Sequence, residues 1–258
     1  MSTHRATPVP ALTVQPIHFT SDHAAWKAFY TGLGLQRTAA DDPFFTVLAA
    51  DSGQLLLAEV PAGSTLDGVR LVEFTVPDLD AHAAALEDAG VPVGRVELAH
   101  RDSLSIDLPQ GRVHICQSAI TAGSAPFDPA HLNLGALLYA PASMVTPGAH
   151  ALAPYGMTPR IASDTGGWTD LMGNGLFAFH EGPLRTVEND APNQPVVNLL
   201  GETADISRLA QELEGRGLSA RIIDEAYGRS LRVTQPDGDE LFINETMQDL
   251  YGYHRVGA

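Results

Sequence analysis

The sequence has little with which to form covalent or metal cross-links, because its 258 residues include a single cysteine, Cys116. One thiol excludes an internal disulfide and a multi-cysteine zinc site. The short run Val113–Cys116 around it has the composition of a strand. We therefore expect a buried, unreactive thiol rather than a catalytic one.

Long apolar runs are also missing from the sequence. No segment approaches the roughly 18 apolar residues of a membrane-spanning helix, and the N-terminal stretch lacks the apolar centre of a signal peptide. These two absences predict a cytoplasmic location and no membrane partner.

Positive charge is scarce, since 15 Lys and Arg residues stand against 31 Asp and Glu residues, a formal net charge of −16. This excess of negative charge repels polyanions, and no run of Lys or Arg exists to form a positively charged binding stripe. The sequence therefore predicts no nucleic-acid partner. Phosphate-binding glycine loops, a GxSxG elbow and a His-Glu-x-x-His motif are absent too. No catalytic residue is therefore assigned, and whether the protein is an enzyme stays open.

What the chain does contain is an internal repeat. Asp78 and Asp205 occupy matching positions of two similar segments, at an offset of 205 − 78 = 127 residues, and Gly90 and Gly217 keep that offset. The turns at Gly111 and Gly238 keep it as well, whereas weaker matches at an offset of 122 include Gly53 with Gly175 and Glu59 with Glu181. The chain thus divides into units A, B, A′ and B′, which start near residues 12, 69, 132 and 195.

Each unit reads as one strand, one helix and two or three further strands, a βαβββ pattern. Asp22, Asp78 and Asp205 are predicted helix N-caps in units A, B and B′. Thr146-Pro147 is the predicted cap and first turn in A′, with Pro154 ending that helix. One helix covers only one face of its strands, so the open faces must pair and form clefts. The prediction is an α+β protein with four βαβββ units in two tandem domains, residues 1–124 and 125–258, joined by the linker Thr121–Pro129.

Two motifs carry a resemblance to a known family. The first motif is Thr20-Ser21-Asp22, followed by an aromatic-rich helix that ends in Leu33-Gly34-Leu35, and the second is the turn Gln235–Asp239. Both are similar to motifs of the vicinal oxygen chelate superfamily. This superfamily includes glyoxalase I, extradiol dioxygenases and bleomycin-binding resistance proteins. The resemblance extends over nearly the whole chain and implies curved mixed sheets around clefts. It says little about function, because the fold hosts unrelated chemistries.

The resemblance also implies where a divalent metal would be held, on the first and last strands of paired units. The corresponding positions on the first strands are Gln15, Leu71, Leu137 and Asn198, and those on the last strands are Ile115 and Phe242. Hydrocarbon side chains cannot coordinate a metal. We therefore predict no metal and no other cofactor, although a site with relocated ligands stays open; the polar residues on the relevant strands are Glu73, His18, His114, Glu59, His180 and Glu181.

Without a metal, the predicted fold still provides an apolar cleft between sheets. Strand alternation places seven residues on its walls, namely Ile17, Phe19, Glu73, Ile115, Tyr139, Asn198 and Phe242. By the same alternation, His18 and His114 point toward the helices. Aromatic rings with a few polar groups suit a planar or cationic small molecule. Trp168 is expected to flank a cleft, and the segment Tyr251–Arg255 either caps a cleft or docks the chain end.

Four functions stay open at this stage. The first is metal-independent binding of a small molecule, as the resemblance to bleomycin-binding resistance proteins implies. One alternative is a metal-dependent lyase, isomerase or dioxygenase with relocated ligands. Another is a metal-free enzyme with Glu73 or a cleft histidine as general base, and the last is a protein whose cleft has become an interaction surface. Because the fused units supply both walls of a cleft, a monomer and a homodimer are both compatible with the sequence.

Overall fold

The computed structural model of the protein describes residues 8–38, 44–98, 101–118, 132–187, 193–225 and 228–257. Within these residues the chain forms an α+β structure with one eight-stranded and one nine-stranded mixed sheet and four α-helices. Every helix in the described ranges is too short or too polar to cross a membrane.

Units A and B form the first sheet. Its elements are β1 (Thr13–Thr20), α1 (His23–Gly32), β2 (Gln36–Arg37), β3 (Phe45–Ala49), β4 (Gln54–Glu59), β5 (Arg70–Val76), α2 (Leu79–Asp88), β6 (Gly94–Leu98), β7 (Arg101–Leu108) and β8 (Gly111–Gln117). The strand order is β2-β3-β4-β1-β5-β8-β7-β6, and the antiparallel pair β1–β5 joins the two units at the centre.

Units A′ and B′ form the second sheet in the same way. Its elements are β9 (Asn133–Ala140), α3 (Ala142–Leu152), β10 (Thr158–Ser163), β11 (Trp168–Gly173), β12 (Gly175–Glu181), β15 (Asn198–Thr203), α4 (Ile206–Gly215), β16 (Ala220–Glu225), β17 (Gly228–Thr234), β18 (Glu240–Glu245) and β19 (Tyr253–Arg255), while β13 (Thr186–Val187) and β14 (Gln194–Pro195) make a separate short ladder. The order is β16-β17-β18-β15-β9-β12-β11-β10-β19, with β9–β15 at the centre. The sequence left open which units pair; A pairs with B, and A′ with B′.

Three of the four predicted helix starts are confirmed. The carboxylates of Asp22, Asp78 and Asp205 each accept a hydrogen bond from the backbone N–H three residues later, at 3.2, 2.8 and 3.0 Å. Gly90 and Gly217 follow the ends of α2 and α4 with φ of +73° and +82°, a backbone conformation that favours glycine.

The predicted start of the A′ helix at Thr146-Pro147 is wrong. Helix α3 begins at Ala142, after Pro141, and Pro147 lies inside it. Val145, Ala149 and Leu152 are buried at helical spacing on one face. Burial of this stripe outweighs the hydrogen bond that Pro147 cannot donate.

The two sheets pack against each other through their helix-bearing faces. One core combines unit B with unit A′, and within it the rings of Phe74 and Phe177 lie 5.5 Å apart. The other combines unit A with unit B′, and contains Trp26 together with Leu209. Since neither half has a core of its own in these clusters, each sheet depends on the other for burial of its apolar face.

The halves also interlock through two equivalent turns. Ser52 accepts a backbone hydrogen bond from Leu134 at 2.9 Å, and its hydroxyl accepts one from Gly175 N–H at 2.7 Å. Reciprocally, Asn174 exchanges backbone hydrogen bonds with β1, and its side chain accepts from Gly53 N–H at 3.1 Å. The repeat of Gly53 and Gly175 thus has a structural reason, because a Cβ on Gly53 would lie 2.5 Å from the carbonyl oxygen of Leu134.

The predicted linker Thr121–Pro129 and the boundary between residues 124 and 125 lie outside the described residues. Division into domains at that point therefore remains a prediction.

The shared cores predict that both halves unfold in one transition. The chain has two tryptophans, Trp26 in the first half and Trp168 in the second. In the Trp26→Phe variant the remaining fluorophore, Trp168, reports on the second half, and in the Trp168→Phe variant Trp26 reports on the core shared by units A and B′. Urea curves of the two variants, each compared with far-ultraviolet circular dichroism, are expected to show one midpoint per variant by both probes. Separate midpoints would mean that the halves fold independently.

Acid is expected to destabilise the fold through His18. This residue faces α1 as predicted, where its Nδ1 lies 2.7 Å from the Tyr30 hydroxyl and its ring lies 4.2 Å from Trp26. Burial, and next the nearby Arg70 charge, lower the pKa of His18 to about 3. Because the unfolded chain binds the proton more readily, this contribution to stability is complete above the unfolded pKa of about 6.5 and is lost as the pH falls toward 3.

The free energy of unfolding should therefore fall with a slope approaching about 1.4 kcal/mol per pH unit from this group. In His18→Gln the loss between about pH 7 and 4.5 should be smaller by roughly 2 kcal/mol, measured by urea unfolding at each pH. His150→Gln, which changes an exposed histidine, serves as the control and should follow the unsubstituted protein.

Candidate functional site

The concave face of the second sheet encloses a cavity of about 590 Å³, a size suited to a small molecule. Its floor is the central strands β9, β15, β12 and β18. Its lining residues are Arg70, Leu137, Tyr139, Trp168, His180, Asn198, Leu199, Leu200, Gln235, Gly238, Asp239, Glu240, Leu241, Phe242, Asn244, Met247 and Tyr253.

One wall of this cavity is a group of three rings. His180 lies opposite Tyr139 on β9 and Trp168 on β11. Its ring centre is 5.4 Å from that of Tyr139 and 5.6 Å from that of Trp168, both edge to face. Nδ1 of His180 lies 2.7 Å from the carbonyl oxygen of Glu181. A neutral ring that donates there carries its lone pair on Nε2, where it can accept a hydrogen bond.

The facing wall is Phe242 on β18. The guanidinium carbon of Arg232 lies 3.3 Å from the centre of its ring, and Arg232 also contacts the carboxylate of Glu225. This cation fixes one face of the ring and half of Phe242 remains exposed, so the phenyl group offers a rigid apolar surface.

Polar groups at the cavity come from both halves. Arg70 belongs to the first half, yet it borders the cavity and donates a hydrogen bond to Gln235 Oε1 at 3.0 Å. The amides of Asn198 and Asn244 supply donors and acceptors, and Asp239 adds a carboxylate. The arrangement can therefore orient a ligand by hydrogen bonds while its rings bind an apolar face.

The C-terminal segment closes one side of the cavity. β18 and β10 are separated in the sheet by four strands, and residues 246–252 connect β18 to β19 beyond β10. β19 pairs with β10, and His254 Nδ1 lies 2.8 Å from Asp164. Met247 and Tyr253 line the cavity, so the predicted roles of this segment, capping a cleft and docking the chain end, occur together.

A buried ionic cluster lies on the same concave face. The guanidinium of Arg160 donates to both oxygens of Asp170, at 3.0 and 2.8 Å, and to both oxygens of Glu202, at 2.8 and 2.7 Å. Burial alone would lower the pKa of Arg160, but hydrogen bonds and charge from Glu202 and Asp170 raise it above its ordinary value. This cluster could not be predicted from the sequence, because its members are not close in the chain.

Removal of Arg160 would leave two buried carboxylates without a cation. Arg160→Met is expected to lower the free energy of unfolding by roughly 3–5 kcal/mol. The exposed helical pair of Arg208 and Glu212 provides the control, and Arg208→Met should cost less than about 1 kcal/mol. Equal effects of the two substitutions in urea unfolding would contradict this role.

The concave face of the first sheet has no comparable aromatic wall among its described central residues; it carries a buried polar cluster. Gln15 on β1 and Glu73 on β5 are cross-strand partners, and the Gln15 amide donates to Glu73 Oε1. Arg101 and the Cys116 thiol contact the other carboxylate oxygen, the thiol at 3.5 Å. Burial raises the pKa of Glu73, whereas Arg101 and the hydrogen bonds oppose that rise.

Cys116 is a free thiol and is buried, as expected from the sequence. Burial, and next the Glu73 charge, raise the pKa of its thiol. A thiol with a raised pKa contains little of the nucleophilic thiolate at neutral pH.

The structure divides the seven predicted cleft residues among three places. Tyr139, Asn198 and Phe242 come together in the cavity. Ile17, Phe19 and Glu73 share the concave face of the other sheet.

Ile115 does not lie on a cleft wall, since it is fully buried in the shared core. The gap-free offset of 127 failed here because the two turns differ in length. In unit B Asp107 pairs with Arg112, whereas at the equivalent place in B′ Thr234 pairs with Glu240, so the turn in B′ is one residue longer. Ser103 pairs with Cys116 but Ser230 pairs with Asn244, an offset of 127 on one strand and 128 on the next.

One extra residue in the turn reverses which side chains of the following strand face the cleft. The position that corresponds to Phe242 is therefore His114, and the expectation that His114 points toward the helices is wrong. Its Nδ1 is buried, and desolvation followed by the Arg112 charge lowers its pKa.

The residues at the family's ligand positions do not fit a metal in the second half. Leu137, Asn198 and Phe242 offer two hydrocarbons and one amide. In the first half, Gln15 and Glu73 are already bound to each other and to Arg101. Within the described ranges, no three His, Cys, Asp or Glu side chains are grouped closely enough to hold an ion.

Four of the six candidates for relocated ligands are dispersed. His18 is in the core, His180 is in the cavity, and Glu59 and Glu181 are exposed at the ends of β4 and β12. The sequence does not reveal this dispersal, because the position of a residue along its strand does not give its distance from residues on other strands.

Comparison with known proteins agrees with this fold. Residues 14–104 match the model of the Glyoxalase/Bleomycin resistance protein/Dioxygenase superfamily. No curated protein matches the sequence.

Three solved structures illustrate the similarity. The Mn(II)-bound glyoxalase from Novosphingobium aromaticivorans superposes with a TM-score of 0.57 at 16% identity, over 93% of this chain and 83% of that one. The 2,3-dioxygenase LapB from Pseudomonas sp. KL28 gives 0.57 at 17% identity, over 95% of both chains. Homoprotocatechuate 2,3-dioxygenase from Brevibacterium fuscum gives 0.56 at 15% identity, over 100% of this chain and 85% of that one. The predicted α+β fold is confirmed, and the resemblance to the vicinal oxygen chelate superfamily is confirmed over residues 14–104.

Proposed function

From the vicinal oxygen chelate fold of this chain, we propose that the protein binds a planar, aromatic small molecule in the cavity of its second half, without a metal. The observation that carries the proposal is the 590 Å³ cavity with Tyr139, Trp168 and Phe242 on its walls. Such rings bind the faces of a planar ligand, and Asn198 and Asn244 are placed to fix its orientation.

The hydrocarbon side chains at two of the family's metal-ligand positions separate the proposal from the alternative. One of the similar structures, the glyoxalase from Novosphingobium aromaticivorans, has Mn(II) bound by its description. At the positions where that chemistry would need donors, this chain has Leu137 and Phe242. A metal-dependent lyase, isomerase or dioxygenase would require ligands from elsewhere.

Glu73 is a poor general base for such a ligand. It lies on the other concave face, is 3% exposed and is bound by Arg101, Gln15 and Cys116. A base must reach the proton that it removes, and Glu73 does not border the cavity. We therefore assign Glu73 no role in ligand binding at this site.

Ligand binding is testable by fluorescence of Trp168 in a Trp26→Phe background, where it is the remaining tryptophan. 9-Aminoacridine is a planar cation and 2-naphthoate a planar anion of comparable width. Either should quench Trp168 and raise the melting temperature. Tyr139→Ala and Phe242→Ala are each expected to weaken binding about tenfold, the effect of losing roughly 1.4 kcal/mol of stacking.

Phe44→Ala, which removes an exposed phenyl group from the other half, is the control and should leave affinity unchanged. Tighter binding of the cation would indicate that Asp239 contributes to ligand recognition, and tighter binding of the anion would indicate that Arg70 does. Binding that survives both cavity substitutions, or a stoichiometric tightly held metal in the purified protein, would refute the proposal.

A further inference from the structure

The first half contains a cluster that ligand binding in the second half does not use. Gln15 and Glu73 are 2% and 3% exposed, and they face each other across the central pair β1–β5. Gln54 donates from β4 to Gln15 Oε1, and to Thr75 Oγ1 at 3.0 Å. A carboxylate so buried needs a counter-charge, because an unpaired buried charge is strongly destabilising.

The counter-charge is supplied by Arg101. This residue begins β7, and its guanidinium reaches past β8 to Glu73 Oε2. Its side chain is 41% exposed, whereas that of Glu73 is 4% exposed, so a partly exposed arginine brings its charge to a buried carboxylate. The guanidinium remains charged at all ordinary pH values, and its planar donors match a carboxylate.

This cluster includes a strand position at which the family resemblance implies a metal ligand. Gln15 is the residue that the family resemblance aligns with metal ligands, yet its amide is bound to Glu73, and Glu73 is bound to Arg101. A divalent cation and a guanidinium against the same carboxylate oxygen would repel each other. The residues therefore do not fit a metal while Arg101 is in place.

We propose that the Arg101 guanidinium permanently substitutes for a metal cation on this concave face, so that the first half folds around an internal organic cation. Removal of Arg101 leaves a carboxylate, an amide and the Cys116 thiol, whose sulfur lies 3.5 Å from Glu73 Oε2. These are donors that Co²⁺ and Zn²⁺ accept. The proposal is independent of the ligand cavity in the second half.

The test compares Arg101→Met with the unsubstituted protein, both stripped with a chelator and then titrated with CoCl₂. The variant should be less stable without metal, and a hundredfold excess of Co²⁺ over its dissociation constant should raise its melting temperature by roughly 3 °C or more. The unsubstituted protein should show no rise. In Arg101→Met/Glu73→Gln the cobalt response should disappear, and in Arg101→Met/Cys116→Ser any near-ultraviolet thiolate–cobalt absorption should disappear.

Arg95→Met is the matched control, because Arg95 on the neighbouring strand β6 pairs with Asp80 at 2.9 Å in the exposed part of the surface. It should lose little stability and gain no cobalt response. A folded Arg101→Met protein without a cobalt response would overturn the proposal. A stoichiometric metal in the unsubstituted protein that Glu73→Gln releases would overturn it as well.

The proposal remains testable if Arg101→Met fails to fold. Arg101→Met/Glu73→Gln removes the buried charge together with its partner, so it should recover most of the melting temperature lost in Arg101→Met. If the double variant is no more stable than Arg101→Met, Arg101 does not act by neutralising Glu73, and the proposal fails.

Discussion

The back-to-back packing of the two sheets is the constraint on which the rest of the structure depends. Each helix-bearing face finds its apolar partner in the opposite half, and the turns at Ser52-Gly53 and Asn174-Gly175 dock reciprocally onto the first strands β9 and β1. Burial of apolar surface between the halves supplies the main stabilisation. Because the packed faces are the helical ones, both concave faces remain directed away from the shared cores.

The two concave faces have diverged in chemistry. The first is filled by amides, Glu73 and Arg101, while the second keeps an open cavity with rings on its walls and confines its ions to Arg160, Asp170 and Glu202. In both places a guanidinium neutralises buried carboxylates. Two repeats of one fold thus carry a filled concave face and an open one, in keeping with the rule that fold and function are assigned separately.

The sequence was sufficient for the fold but only partly for the site. Helix caps and the order of elements within a repeat are visible in short segments of sequence. The N-caps Asp78 and Asp205 and the βαβββ order could therefore be predicted directly. The face on which a side chain lies depends on every preceding turn, and one additional residue near Gly238 was enough to misplace Ile115 and His114. Contacts such as Arg101 with Glu73 depend on strand order across the sheet, which periodicity does not encode.

The late position of β19 in the chain has a consequence for biosynthesis. Tyr253 forms part of the cavity wall, yet its strand pairs with β10, which leaves the ribosome about 90 residues earlier. Until that segment emerges, the edge of β10 is unpaired and the cavity is open on that side. The wall that Tyr253 supplies therefore forms only when two segments about 90 residues apart in the chain pair with each other.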